Sequence, residues 1–394
     1  MENKILIYKD VNEIKPVGGP NGYIYNLKYE IDKQNINKYE FIEKKSNHKY
    51  KKIYNKLPIQ LKKLYRENRI LKNSIKILDN SEKTSNIDFN KYSIIHFHST
   101  FDLYKVKDSL KGYNGKILLT SHCPKPEHLE IIEDRISKKS YNKNNNIYDN
   151  LYKIDEFSFF RADYIIFPCK EAEEPYLNRW NKYEYIKNKN KDKYKYLLSG
   201  IIKAKVKKSK KEILDIYKIP ENAKIISYVG RHNETKGYDI LKKIGEKILD
   251  KYDNIYFLIA GEESPIKGLE HERWIEVGWT KDPHSIINAS DIFVLPNKET
   301  YFDLIMLEVI SLGKFILASN TGGNKHFKAY EESGILLYDG LGDAIEKLDN
   351  LIRDSENTKE KGKINSLLFE KNFSSKIFFQ NYDKLIDELI KDKE

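Results

Sequence analysis

Glu308 occupies a setting that calls for an explanation. In the stretch Asn297-Lys298-Glu299-Thr300-Tyr301-Phe302-Asp303-Leu304-Ile305-Met306-Leu307-Glu308-Val309-Ile310-Ser311-Leu312-Gly313, residues Leu304, Ile305, Glu308, Val309 and Leu312 recur at helical spacing. That period predicts a helix with Glu308 on its apolar face. A carboxylate there is costly unless something pairs with it. A ribose diol could do so, because both of its hydroxyls donate to one carboxylate. A salt bridge to a core Lys or Arg would serve as well. Glu299, near the helix start, could hold sugar hydroxyls in the same manner.

A second constellation is Gly230-Arg231-His232-Asn233-Glu234-Thr235-Lys236-Gly237, after the apolar run IISYV. Arg231 and Lys236 lie five apart in a loop at the carboxyl end of a predicted strand. Two cations there suit a diphosphate, the Arg as a hydrogen-bonding fork and the Lys as a point charge. In a Lys-rich chain the same pair also reads as a solvated loop.

Two glycine turns complete the set. Val17-Gly18-Gly19-Pro20-Asn21-Gly22 and Asn320-Thr321-Gly322-Gly323-Asn324-Lys325 each follow a predicted strand and open a helix. Backbone N–H groups in such turns can meet an anion at a helix start, although paired glycines also make plain turns. His96 and His98 close the run SIIHFH, and His122 closes KILLTSH. Alternation puts His96 and His98 on one side of a sheet, where a structural role serves as well as a chemical one. No HExxH, CxxC or Ser-His-Asp pattern offers competing chemistry.

These residues need strands that end together and helices that follow them. Apolar runs fit strands at 4–8, 93–98, 116–121 and 164–167, then 224–230, 255–261, 274–278, 291–296, 315–320 and 334–338. Helical patterns fit 21–31, 238–249, 304–312, 342–352 and 374–391. Strands apolar on both faces, alternating with helices, predict parallel sheets covered by helices: an α/β fold of two doubly wound domains. The polar, basic stretch between Lys187 and Ala223 places the boundary. The expected domains are 1–196, 197–372, and a closing helical segment, 373–394. In doubly wound domains ligands bind beyond the carboxyl ends of the strands.

The 394 residues suit two domains. Net charge is +11, and it is concentrated: residues 41–78 carry ten Lys and two Arg against two Glu. Within them Leu57, Leu61, Leu64, Leu71, Ile75 and Leu78 mark one helix face, with Pro58 in the first turn. A basic amphipathic helix either packs with a solvated basic face or meets an anionic membrane. Nucleic acid is not an expected partner, since no aromatic–basic module accompanies the charge. No apolar run reaches the about 18 residues of a membrane-spanning helix. The segment MENKILIYKD reads as a first strand and not as a signal peptide. Cys123 and Cys169 show no metal-ligand spacing, so no metal is expected, and a reducing cytoplasm is the expected compartment.

Taken in order, GGPNGYIYNL, HFH, TSH, DEFSFFRADYIIFPCKEAEEPY, VGRHNETKGYDIL, GWTKDPHSIINASDIFVLPN, LEVISLGKFILASNTGGNK and FSSKIFFQNYDKL resemble the retaining GT-B glycosyltransferases often called family four, over nearly the whole chain. The resemblance implies a GT-B fold, with two doubly wound domains facing a cleft and a last helix crossing back to the first domain. It implies transfer of a hexose-type sugar from a nucleotide-diphosphate donor, with retention and without a cofactor or metal. The implied acceptor is a glycan, or a lipid-linked one, at the inner membrane face, in surface polysaccharide or glycolipid assembly.

On this resemblance Arg231 and Lys236, with Gly230, would bind the diphosphate, Glu308 the ribose and Glu299 the donor sugar. Gly322, Gly323 and Asn324 would meet phosphates or sugar. Gly18 and Gly19 would close over the same group from the other domain, and His122 would sit by sugar and acceptor. The family spaces its two Glu eight apart, whereas here position 300 is Thr and Glu299 is nine from Glu308. Asp303 stands where Gly is usual. Thr300 or Asp303 is therefore an alternative to Glu299 at the sugar. A synthase or phosphorylase making a small soluble saccharide, and a catalytically silent nucleotide-sugar-binding module, are the competing functions.

Overall fold

A computed structural model describes residues 3–11, 13–16, 18–42, 58–79 and 87–391. The chain divides into two compact units. One comprises Met1–Phe167, Pro175–Leu197 and Tyr382–Glu394, the other Pro168–Glu174 and Leu198–Asn381.

The first unit holds a six-stranded sheet in the order β2-β1-β3-β4-β5-β6. Its strands are β1 (Ile5–Tyr8), β2 (Tyr39–Phe41), β3 (Ile94–Phe97), β4 (Lys116–Leu119), β5 (Tyr164–Phe167) and β6 (Tyr194–Tyr196). All neighbours are parallel, with Ile5 opposite Ile94 and His96 opposite Leu118. The central strands β1 and β3 are buried on every residue, which explains why they are apolar on both faces apart from His96. Helix α1 (Gly19–Lys33) follows β1 and buries Tyr23, Ile24, Leu27 and Ile31.

The second unit repeats the plan in the order β12-β11-β10-β7-β8-β9. Its strands are β7 (Lys224–Val229), β8 (Ile255–Ala260), β9 (Trp274–Gly278), β10 (Ile292–Leu295), β11 (Phe315–Ser319) and β12 (Ile335–Tyr338). These pairs are parallel too. Ile226, Phe257, Val294 and Leu317 form one core with Leu241, Ile244 and Ile248 of helix α3 (Tyr238–Lys251). Helix α4 (Leu304–Ser311) follows β10, and helix α5 (Ser375–Lys391) closes the chain, its residues from Tyr382 onward belonging to the first unit. The expected α/β architecture of parallel sheets under helices is the one observed.

Two edge strands escaped the sequence reading. β2 and β6 have three residues each, and β6 lies inside the basic stretch read as a boundary. An edge strand is covered less and needs no continuous apolar run. Helix α2 (Ile59–Leu78) corrects a second expectation. Leu57 lies outside the described residues. Leu61 and Leu64 of the predicted face are exposed at 49% and 56%, beside Tyr65 at 52%. Among the described residues the later part of the helix packs, with Leu71 and Leu78 against Tyr148, Leu151 and Ile154. The buried residues of α2 include Glu67 and Ser74. The Glu67 carboxylate accepts from the Ser137 amide and hydroxyl, each at 3.0 Å. No helix among the described residues is long and apolar enough to cross a membrane.

Candidate functional site

Strand order in the second unit reverses between β7 and β10, so the loops leaving these strands diverge and leave room for a ligand. Both candidate loops start there. Loop 230–237 leaves β7, loop 296–303 leaves β10, and turn 320–324 leaves the adjacent β11.

The three are stitched together by backbone. The Lys298 amide donates to the Thr235 carbonyl at 3.0 Å, and the Gly323 amide to Thr300 O at 3.2 Å. The Ser319 hydroxyl donates to Asn297 O at 2.6 Å. Two glycines are required by this closeness. A Cβ on Gly237, at φ +65°, would lie 1.7 Å from Pro296 O, and one on Gly322, at φ +43°, would lie 2.1 Å from Thr300 O.

Lys236 is drawn inward and pairs with the Asp303 carboxylate, which also accepts from Asn297 Nδ2 at 2.8 Å. Burial alone would raise the Asp303 carboxyl. The Lys236 charge and hydrogen bond, the Asn297 amide and Arg231 together hold it below the ordinary carboxylate range. Arg231 itself is exposed.

Glu308 differs from the expectation. Helix α4 buries Met306, Leu307, Val309, Ile310 and Ser311. Leu304, Ile305, Glu308 and Leu312 form its half-exposed stripe. The carboxylate is therefore partly open, and its partner is neither Lys nor Arg but His284 Nε2, at 3.1 Å. His284 sits on the short helix Pro283–Ala289. Burial would lower this imidazole, but the hydrogen bond and charge of Glu308 carry it above its ordinary value. Nothing in the run DPHSII singled out His284, since the contact spans two helices.

Of the three candidates for a sugar contact, Thr300 is buried and Asp303 is engaged by Lys236 and Asn297. Glu299 is half-exposed. The second glycine turn needs correction. The Gly323 amide already donates to Thr300 O. Asn324 is buried and donates to Ser319 O at 3.1 Å, shaping the turn from within. The Gly322 amide donates to the Glu174 carboxylate at 3.2 Å, and Glu174 also pairs with Lys325. A carboxylate thus already holds the position at which an anion was expected.

In the first unit, Gly18 (φ +76°) and Gly19 are exposed at the start of α1. His96 and His98 are fully buried. His96 Nδ1 meets the Tyr382 hydroxyl at 3.0 Å, and Nε2 meets Thr120 Oγ1 at 2.9 Å. His98 Nδ1 lies 2.7 Å from His122 Nε2. The ring of Tyr23 lies edge-on to His122 at 4.6 Å. His122 alone of the three is half-exposed, and it is held at φ +62° beyond the end of β4. A non-glycine residue in that region is strained, and such strain concentrates at working sites. Burial pushes His96 down to about 3, and it also lowers His98 and His122, keeping the pair neutral.

Residues 209–366 match the model of the family described as glycosyl transferases group 1. A capsular polysaccharide biosynthesis glycosyltransferase, CapM of Staphylococcus aureus, is 24% identical over 180 residues, 43% of this chain and 47% of that one. The curated relatives are matched over less than half of their length. A sucrose-phosphate synthase structure from Thermosynechococcus elongatus superposes with TM-score 0.63 at 16% identity, over 99% of both chains. The Anabaena HepE structure with UDP-glucose gives 0.61 at 14% identity, over 98% of this chain and 99% of that one. At these identities the likeness shows the fold, and that fold is GT-B.

Proposed function

Since residues 209–366 match the family described as glycosyl transferases group 1, we propose that this chain is a glycosyltransferase. It moves a hexose-type sugar from a nucleotide-diphosphate donor, with retention, to a glycan or lipid-linked acceptor in cell-surface polysaccharide or glycolipid assembly. The observation that carries the reading is that loop 230–237, with Arg231 and Lys236, and loop 296–303, which leads into helix α4 with its half-open Glu308, both leave strands at the strand-order reversal of the second unit.

In this reading Arg231 and Lys236 bind the diphosphate and stabilise charge on the departing phosphate, the part a metal ion plays in other enzymes. Glu308, oriented by His284, accepts from the ribose hydroxyls. Glu299 orients the sugar. The backbone at Gly230 approaches the phosphates. In the first unit, His122, Gly18 and Gly19 serve the acceptor. The UDP-glucose in the Anabaena structure supports the donor class, and the capsular assignment of the S. aureus relative supports the pathway.

The enzyme works in the cytoplasm at the inner membrane face. The support is helix α2, where Leu61, Leu64 and Tyr65 are exposed among Lys62, Lys63 and Arg66. Apolar side chains flanked by cations suit an anionic leaflet.

A thermal-shift screen against UDP, GDP, ADP, CMP and their sugar conjugates, followed by donor hydrolysis, tests this. One diphosphate raising the melting temperature above the others, with slow release of sugar, is expected. Binding without hydrolysis or transfer would favour a silent module, and no shift at all would remove the donor site.

A further inference from the structure

Cys169, Glu171 and His326 are brought together in the second unit, with one ligand atom from each within 4.8 Å of the others. Cys169 and Glu171 flank Lys170 at the start of the turn after Pro168. His326 comes from the segment Gly322–Ala329, 155 residues beyond Glu171. The thiol is buried and the other two are half-exposed. His326 Nδ1 lies 4.0 Å from the Glu171 carboxylate. The Nε2 atom of the same ring is buried with no hydrogen-bond partner among the described residues. Phe302, Phe327 and Tyr330 pack around the imidazole with centroids at 6.2, 5.8 and 5.8 Å and hold it in place.

We propose that Cys169, Glu171 and His326 bind a borderline-soft divalent ion of the zinc class, which pins residues 169–174 to the glycine turn at Gly322. Thiolate, imidazole and carboxylate are the donor set such an ion selects. Bond lengths of about 2.0–2.3 Å put tetrahedral ligands about 3.3–3.8 Å apart, so side-chain rotations of about 1 Å close the present spacing. Three protein ligands leave the fourth position to water.

Burial, opposed in part by the Ala172 amide and reinforced by Glu171, pushes the Cys169 thiol up to about 12. Coordination therefore releases the thiol proton to solvent as the S–metal bond forms, and binding strengthens as pH rises. The ion is architectural. It fixes the segment carrying Glu174, whose carboxylate accepts from the Gly322 amide and pairs with Lys325. The assignment stands on these three residues and does not depend on the glycosyltransferase reading.

Titrating the purified full chain with Co²⁺ tests it. A thiolate-to-cobalt charge-transfer band in the near ultraviolet is expected, with the visible bands of four-coordinate cobalt, and Zn²⁺ should bleach both. Loss of an outer partner alone typically costs 10–100-fold in metal affinity, so His326→Ala should weaken Co²⁺ by at least about tenfold. Cys169→Ser should abolish the charge-transfer band, and Cys123→Ser should leave it intact. Melting curves of each metal-free variant report whether it folds. If Cys169→Ser does not, Glu171→Gln, whose side chain is 37% exposed, takes its place and should weaken Co²⁺ comparably. A wild type without the band, a band that survives Cys169→Ser, or affinity unchanged in both His326→Ala and Glu171→Gln overturns the site.

Discussion

The Lys236 ammonium is paired with the Asp303 carboxylate, across two loops that leave β7 and β10. Lys236 is thus pre-positioned at the strand-order reversal, with Arg231 on the same loop. Truncating either, as Arg231→Ala or Lys236→Ala, should lower turnover by about 100-fold or more, as loss of a transition-state charge contact does. Initial rates at saturating donor measure this, and wild-type rates would remove the loop from the mechanism.

His284 and Glu308 give a pH signature. The imidazole is held above its ordinary 6.5 in the folded state, so the protonated form is favoured by folding. That stability is fully present below 6.5 and is lost as pH rises through the raised folded value. Melting temperatures of wild type and His284→Gln should differ most in mild acid and converge in alkali. Glu308→Gln should weaken the best nucleotide diphosphate by about tenfold or more, the value of a hydrogen bond to a charged group.

His96 acts in the opposite sense. Burial lowers it to about 3 from 6.5, so between these values the unfolded chain binds more protons than the folded one. Stability should fall as pH drops below 6.5 toward 3. Urea unfolding monitored at several pH values should show a shallower acid decline in His96→Asn than in wild type. Equal slopes would mean that other groups govern the loss.

Gly237→Ala should destabilise the second unit by more than about 1 kcal/mol, because the new methyl would meet Pro296 O in a left-handed backbone. Chemical denaturation reads this directly. An unchanged midpoint would show that the two loops can part.

Helix α2 is tested with vesicles. Replacing Lys62 and Lys63 by Glu should release the protein from anionic vesicles at low salt, since each cation near such a surface contributes about 1 kcal/mol. Co-sedimentation unchanged by the double substitution would return α2 to a solvated surface role.

The sequence by itself determined the architecture and the local loops. Runs such as KIISYV and DIFVLP must be strands buried on both faces, because only helix-covered parallel sheets hide them on both sides. The glycines at 237 and 322 fall where the chain bends in left-handed conformations, a backbone requirement written in single residues. What only the tertiary structure decided is which distant side chains meet. Glu308 reads as a residue of an apolar face because spacing reports one helix alone. Its half-open stripe and its His284 partner come from a neighbouring helix. Asn324 and Gly323 read as ligand contacts, yet packing against 300–301 and Ser319 turns them inward. Leu61 and Leu64 keep a perfect helical period and yet stay exposed, because a period records one helix and not what lies against it. Cys169 and Glu171 acquire His326 only when two turns far apart in the chain fold against each other. Periodicity encodes how a segment buries its own surface, whereas a site depends on the surfaces of several segments at once.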